Sequence, residues 1–288
     1  MSHFQESIRY LFDVKYVNAV YKYVFHRRLN WLHPKRYTDK IHVFKISAVT
    51  EKLSRYVDKF AVREHVSSTL GDEYLIPLYG VFNTVEEMDF EKLPKSFVLK
   101  ATHGSGWNII CPDKDKLDWS QVKEKLDGWL KTNFYDHTRE RQYKSIVPRI
   151  VCEKLLFENE DGLTEYKIHC FGGKPFCIRV QAGRLKRIRK SFYDLEWNQM
   201  DLNYLHTPPT PPAPVDKPKH LKKMLELAEK LAKPFPYVRV DLYNIAGKIY
   251  FSELTFTPNN GQDRFDPDFY DEVFGSMIDL EAWNSFSG

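Results

Sequence analysis

Residues 238–255 constrain the fold more tightly than any other stretch. Val238-Arg239-Val240-Asp241-Leu242-Tyr243 and Phe251-Ser252-Glu253-Leu254-Thr255 are two β-rich runs separated by a turn at Gly247. Successive side chains of a strand point to opposite faces, so Val238, Val240 and Leu242 share one face and Arg239 and Asp241 the other. The hairpin returns Glu253 alongside them on the neighbouring strand. One face of such a hairpin must be covered by a core, and the other carries an arginine and two carboxylates. On these residues alone, that group serves equally as a salt bridge or as a cradle for Mg²⁺ on nucleotide phosphates.

The rest of the chain supplies mixed elements. Tyr10, Leu11, Val14, Val17, Val20, Tyr21 and Val24 recur at helical spacing, so the first 65 residues read mainly helical, with a break at His33-Pro34 and a helix start within Asp58–Val66. Leu75–Phe82 and Phe97–Lys100 are short β-rich runs, separated by an acidic stretch near Glu86 that reads as helical. A helix is expected at Gln121–Lys131, a strand within Ile146–Leu156, and a strand pair at Tyr166–Phe171 and Pro175–Gln181 joined through Gly172-Gly173. Thr207–Pro218 is Pro-rich and reads as an extended surface connection. Leu221, Met224, Leu225, Ala228 and Leu231 form the stripe of an amphipathic helix. Helices mixed with hairpins indicate an α+β class.

Composition excludes several functions. With 288 residues, 42% hydrophobic and only 13 Gly and 16 Pro, the chain is globular rather than disordered or fibrous. No run of about 18 apolar residues offers a membrane span. The start, MSHFQESIRYLFD, lacks the pattern of a secretory signal. Cys111, Cys152, Cys170 and Cys177 form no CxxC pair, which argues against a zinc knuckle or disulfide framework and for structural thiols in a cytoplasmic chain. The net charge of +4 is unevenly placed: residues 1–64 hold 13 Lys and Arg against 6 Asp and Glu. A second basic cluster comprises Arg184, Lys186, Arg187, Arg189 and Lys190. Both point to an acidic partner. Nucleic acid has little support, since aromatic residues are not interleaved with one basic surface.

Two further stretches bear chemistry. Phe97-Val98-Leu99-Lys100 runs into Ala101-Thr102-His103-Gly104-Ser105-Gly106-Trp107. Such a small-residue loop can bring backbone N–H groups close to phosphate oxygens, and Lys100 adds a point charge there. It is not a Walker A motif, and a plain loop reads as well. Glu153-Lys154-Leu155-Leu156, at a strand end, could offer backbone groups to a purine edge and apolar walls to its faces.

In order along the chain, DKFAVRE (58–64), YLIPLYGV (74–81), LPKSFVLKATHGSGWNIIC (93–111), EYKIHCFGGKP (165–175) and VRVDLYNIAGKIYFSELTF (238–256) resemble the TupA-like branch of the ATP-grasp superfamily, associated with teichuronopeptide and surface-polysaccharide biosynthesis. The resemblance spans roughly residues 30–285. It implies an ATP-grasp fold: a helical segment at 1–57, a first subdomain at 58–155 and a second, with the metal-binding hairpin, at 156–288. It implies ATP and Mg²⁺ as cofactors. Lys59 and Lys100 would contact the α- and β-phosphates, and His103, Gly104, Ser105 and Gly106 would form the loop closing over them. Glu153, Lys154, Leu155 and Leu156 would be the adenine hinge, with Glu165 near the ribose and Lys167 beside it. Arg239 would stabilise the transferred phosphoryl group, with Lys100, His103 and Ser105 contributing to catalysis. Asp241 and Glu253 would hold Mg²⁺. The superfamily commonly has Asn where this chain has Thr255, so Thr255 becomes the third candidate ligand, with Asn259 or Asn260 as substitutes or as substrate contacts.

The activity this implies is ATP-dependent joining of a carboxylate to an amine through an acyl phosphate. An acidic sugar such as a hexuronate is the expected carboxylate, an amino acid or other amine the nucleophile, and Arg184, Lys186, Arg187 and Arg189 would face the acidic glycan. Peripheral contact of the basic N-terminal helix with the inner membrane or a lipid-linked glycan, and association with other polysaccharide-biosynthesis enzymes, are further expectations. A kinase of a glycan hydroxyl and a glycosyltransferase are the rival readings.

Overall fold

The computed structural model describes residues 3–159, 162–183, 188–205 and 214–286. In chain order these form α1 (His3–Phe25), α2 (Tyr37–Lys45), α3 (Ser54–Val57), α4 (Val62–Leu70), β1 (Leu78–Phe82), β2 (Phe97–Ala101), β3 (Asn108–Cys111), α5 (Trp119–Leu130), α6 (Phe134–Thr138), β4 (Ile150–Lys154), β5 (Glu165–Phe171), β6 (Lys174–Ala182), β7 (Arg189–Tyr193), β8 (Asn203–Tyr204), α7 (Leu221–Ala232), β9 (Tyr237–Ile245), β10 (Lys248–Thr255), β11 (Phe265–Asp266) and α8 (Phe269–Ser276), with short 3₁₀ turns between.

Two antiparallel sheets carry the architecture. The first has the order β1-β4-β2-β3 and the second β10-β9-β5-β6-β7; β8 and β11 form a separate ribbon. Phe97, Leu99 and Ala101 alternate onto one face of the first sheet and pack with Cys152 and Ile150 of β4. α5 covers that face through Val122, Leu126 and Trp129. Its start is fixed by Asp118, whose carboxylate accepts the backbone N–H groups of Ser120 and Gln121. The second sheet turns Val240, Leu242, Ile168, Val180 and Ile178 onto its own apolar face, in one core with Leu221, Met224, Leu227, Ala228 and Leu231 of α7. Each such Val, Ile, Leu or Met side chain contributes about 1.5–3 kcal/mol on burial. The expected α7 stripe is therefore present, with Leu225 only partly buried.

Helices α2, α3 and α4 join the larger core rather than the smaller one, through Tyr37, Ile41, Phe44, Tyr56, Val57, Val62 and Val66. Val17 and Tyr21 of α1 pack with Leu29 and Ile46. Among the described residues, no helix is long and apolar enough to cross a membrane.

One expectation fails: the stretch around Glu86 forms no helix. Residues 83–96 run through turns and bends, with Val85, Met88 and Leu93 anchored singly in the smaller core. The Glu87 carboxylate accepts the Asn83 backbone N–H at 2.7 Å, a local closure that competes with helical bonds. Of the connection expected as extended, Thr207–Pro218, residues 207–213 lie outside the described residues and 214–218 form neither helix nor strand.

Candidate active site

The charged face of the second sheet is built by register. Lys167 of β5 pairs with Asp241 of β9, and His169 with Arg239. On the other side Glu253 of β10 pairs with Asp241, and Thr255 with Arg239. That last alignment depends on a bulge between Phe251 and Glu253. Uninterrupted pairing from the Gly247 turn would set Glu253 opposite Val240, on the apolar face. One extra residue reverses every side chain that follows, so the bulge at Ser252 delivers Glu253 to the charged face.

The groups so assembled form a buried ionic network. Arg239 donates from Nε and Nη2 to the two Asp241 oxygens, each at 2.7 Å, and Lys167 Nζ donates to Asp241 Oδ2 at 2.8 Å. Asp241 is fully buried. Burial opposes its negative charge, but Arg239 and Lys167 outweigh that and hold the carboxyl below the usual carboxylate range. Lys167 also lies 2.6 Å from Glu165 Oε2, and Glu165 Oε1 accepts the Ser252 hydroxyl at 3.2 Å. Arg239 Nη2 reaches Thr255 Oγ1 at 3.2 Å and Glu253 Oε1 at 3.4 Å, and the Thr255 hydroxyl donates to Glu253 at 2.9 Å.

The face of the first sheet away from α5 carries Val98, Lys100, Asn108, Ile110 and Glu153 in paired positions. Lys100 Nζ donates to Glu153 Oε2 at 2.7 Å, and Arg63 Nη1 lies 3.6 Å from Glu153 Oε1. A cavity of about 100 Å³ is bounded by Ile76, Val98, Lys100, Ile110, the 153–156 segment, Leu163 and Tyr243. Tyr243 belongs to the second sheet, so the cavity lies where the two sheets meet. Apolar walls flank the 153–156 backbone there, a shape suited to a flat ring. Lys154 turns its side chain to solvent while its N–H donates to Pro77 O at 2.9 Å.

Lys59 lies in the turn between α3 and α4 rather than on a helix. Asp58 makes that turn by accepting the N–H groups of Phe60 at 2.8 Å and Ala61 at 3.2 Å. The Lys59 ammonium donates to the carbonyl of Gly104 in the β2–β3 loop. Burial lowers its pKa, Glu253 opposes that, and Lys100 adds to it, so Lys59 stands between the charged groups of both sheets.

Other expected residues go elsewhere. The His103 ring is buried, with Nε2 2.9 Å from Trp129 O and its edge against Trp107. Its imidazole faces the smaller core, so it cannot reach a substrate and only its backbone remains in the loop. Ser105 and Gly106 are exposed in that loop, Gly106 at φ 74°. Asn260 is taken up by Lys45, which donates to its side-chain oxygen at 2.8 Å, and Asn259 donates to Asp263 at 3.0 Å. Arg189 pairs with Ala182 on the apolar side of the second sheet and lines a separate cavity with Tyr166 and Asn244. Strand alternation therefore directs it away from Arg239 and Asp241. Arg184, Lys186 and Arg187 lie outside the described residues. Residues not anticipated at the site are Arg63, on Glu153, and Arg179 and Asp263, at the charged face of the second sheet; of the expected basic cluster, Lys190 is the described member that lies on that face.

A family model described as TupA-like ATPgrasp matches residues 39–279. The chain belongs to the TupA-like ATP-grasp family. Its fold is the ATP-grasp fold, with the helical N-terminal region noted above. No protein of curated function matches the chain. Among solved structures it is similar to N5-carboxyaminoimidazole synthetase from Staphylococcus aureus complexed with ADP (12% identity, 71% of this chain and 46% of that one, TM-score 0.41). It is also similar to D-alanine–D-alanine ligase from Bacillus anthracis (16%, 84% and 76%, 0.46) and to L-amino acid ligase from Bacillus licheniformis (14%, 83% and 49%, 0.44). This TupA-like chain thus spans about half the length of the first and third of these.

The donor set of the TupA-like chain bears on the metal the family implies. Among the described residues no group of three His, Cys, Asp or Glu side chains gathers at one point. Glu253, with the Thr255 hydroxyl beside it, suits a hard cation that takes its remaining ligands from phosphate and water, and Asp241, its partner across β9 and β10, would join by exchanging Lys167 or Arg239, which now occupy both of its oxygens. All four cysteines are buried and unpaired.

Proposed function

We propose that this chain is an ATP-dependent carboxylate–amine ligase working through an acyl phosphate, and that its carboxylate substrate is an acidic sugar, a hexuronate, in surface-polysaccharide assembly. In this reading residues 58–155 and 156–288 are the two jaws on the nucleotide, with 1–57 packed on the body. The observation that carries the reading is the meeting of two differently equipped sheet faces. One bears Arg239, Asp241, Lys167 and Glu253, and the other Lys100 beside an apolar slot at 153–156, with Lys59 between them.

A carboxylate resists an amine because it offers no leaving group, and phosphorylation supplies one. The protein's part is then positioning and charge neutralisation, with no side-chain nucleophile. The 153–156 backbone and its apolar walls hold the adenine, while Lys59 and Lys100 exchange their present partners, Gly104 O and Glu153, for phosphate oxygens. Arg239, pinned by two short bonds to Asp241, presents its guanidinium to the transferred phosphoryl group without reorganising. Asp241 and Glu253 would hold Mg²⁺, which neutralises phosphate charge when bound. The small-residue loop at 103–106 closes the site through its backbone.

The test is ADP release measured against a matrix of uronic acids and amines, with Asp241→Asn and Glu253→Gln as controls. One acid and amine pair should raise ADP release well above background, and both variants should abolish it. If no pair releases ADP and Mg·ATP gives no thermal shift, the reading is wrong. A stable phosphoester formed without any amine would mark a kinase instead.

A further inference from the structure

Arg179 is the cation at this face that the proposed mechanism does not use. It stands on β6 opposite Lys167, in a row running Glu253, Asp241, Lys167, Arg179 across four adjacent strands. Strand spacing sets its backbone about 10 Å from that of Asp241. The residue is only 8% exposed. Among the described residues its side chain has no ion pair and no hydrogen bond, its guanidinium lying over the Tyr204 ring at 4.9 Å. By register its side chain leaves the sheet on the face that carries Lys167 and Asp241.

Lys190 of β7 pairs with Gln181 on the same face, and its side chain likewise has no hydrogen bond or ion pair among the described residues. Phe192, two residues on, pairs with Arg179, so Lys190 stands one same-face step from the arginine, and the charges of Arg179, Asp263 and Lys167 act on it. Asp263 follows the turn after β10 and is 3% exposed. Its Oδ1 accepts Asn259, but its Oδ2 is buried with no partner. Asp263 lies two residues before Phe265, the β11 partner of Tyr204, and Arg179 lies over the Tyr204 ring, so the ribbon brings Asp263 to the Arg179 end of the face; the charges of Arg179, Arg239 and Lys190 act on it there. A buried acceptor without a donor, beside an arginine and a lysine whose side chains have no hydrogen-bonded partner among the described residues, is a half-finished set of interactions.

Charge matching selects the occupant. A phosphate would satisfy the cations but meet repulsion from Asp263, and a simple amine would leave both cations unpaired. A molecule with a carboxylate adjacent to an ammonium satisfies all three groups. We propose that Arg179, Lys190 and Asp263 seat an α-amino acid as the amine partner of the ligation, the two cations taking its carboxylate and Asp263 Oδ2 accepting from its ammonium on the side nearer Arg239. This assignment rests on the ligase reading above and adds the class of the amine.

The experiment is calorimetric titration of the full chain, with Mg·ADP present, by each of the twenty common L-amino acids and by the decarboxylated amine of any that binds. At least one amino acid binds wild type, and its decarboxylated amine binds far more weakly. Arg179→Gln and Lys190→Gln each weaken amino-acid binding by about 10- to 100-fold while Mg·ADP affinity stays within twofold. Arg179→Lys recovers part of the loss. Retained Mg·ADP binding and an unchanged circular-dichroism spectrum show that the variants fold. The proposal is overturned if no amino acid binds wild type, if the decarboxylated amine binds as well, or if Arg179→Gln leaves affinity unchanged. Failure of the ligase reading shows separately, as absence of ADP release and of any Mg·ATP thermal shift, whatever the amino-acid titrations give.

Discussion

The two sheets that flank the site hold their charges in opposite ways. On the second sheet Arg239, Asp241 and Lys167 are buried and tied by three bonds of 2.7–2.8 Å, and the strands that carry them rest on the larger core. On the first, Lys100 leans on Glu153, and Lys59 rests its ammonium on a loop carbonyl, with only the smaller core beneath the strands. The first arrangement is pre-organised, and removing any member leaves a buried charge. The second is exchangeable, because a ligand's oxygens can replace the partners without stranding anything. The difference assigns charge stabilisation at the reacting centre to the second sheet and ligand capture to the first.

Removing one acid from each sheet breaks or confirms that contrast. Asp241→Ala leaves Arg239 and Lys167 buried without their shared anion and should cost about 3–5 kcal/mol in urea unfolding. Glu153→Ala, whose Lys100 and Arg63 partners keep contact with solvent, should cost only about 1–3 kcal/mol. Equal losses would show that both networks are equally locked. The pH dependence follows the same logic. Asp241 has a folded pKa below the unfolded value of about 3.9, so its stabilisation is full above that value and is lost as the pH falls through the folded one. Acid titration of stability should therefore be steeper for wild type than for Asp241→Asn.

The kinetic form of the contrast is a split between kcat and KM. Arg239→Gln should lower kcat by about 10²- to 10³-fold, since it removes a fixed donor from developing charge. Lys100→Met should instead raise the KM for ATP by about tenfold or more with a smaller change in kcat. A reversal of the two patterns would place the reacting phosphate on the wrong sheet.

How much of this was legible in the sequence depends on bulges. Arg239, Asp241 and the α7 stripe follow directly from alternation and helical spacing, because each sits in an unbroken run. Arg179 does not. Counting back from the Gly172-Gly173 turn pairs Lys167 with Ile178, which would send Arg179 to the apolar face; a bulge between His169 and Cys170 shifts the register by one and pairs Lys167 with Arg179. Arg189 and Lys190 were read as one basic patch, yet they lie on opposite faces of β7, and only the partner register reveals which one reaches the site. The turns of 83–96 were missed because their acidic residues have ordinary helix propensity, and the bond from Asn83 to Glu87 that closes them involves a side chain.

The smallest effect expected concerns the β2–β3 loop of the first sheet, on which the Lys59 ammonium rests. A Cβ at Gly104 would meet the Trp107 ring at 2.7 Å, whereas at Gly106 it would meet nothing within 4 Å, though φ there is +74°. Trp107 is not free to retreat, since it lies parallel to Trp129 and edge-on to Phe134 and His103. Gly104→Ala must therefore move the loop, and with it the carbonyl on which Lys59 rests. Gly106→Ala only imposes a left-handed conformation on an exposed alanine, about 1 kcal/mol. In a nucleotide titration, Gly104→Ala should weaken Mg·ATP binding several-fold and Gly106→Ala by no more than about fivefold. Equal and negligible effects from both would mean that the loop plays no part in holding the phosphates, and the exchangeable side of the site would then reduce to Lys100 and the 153–156 slot.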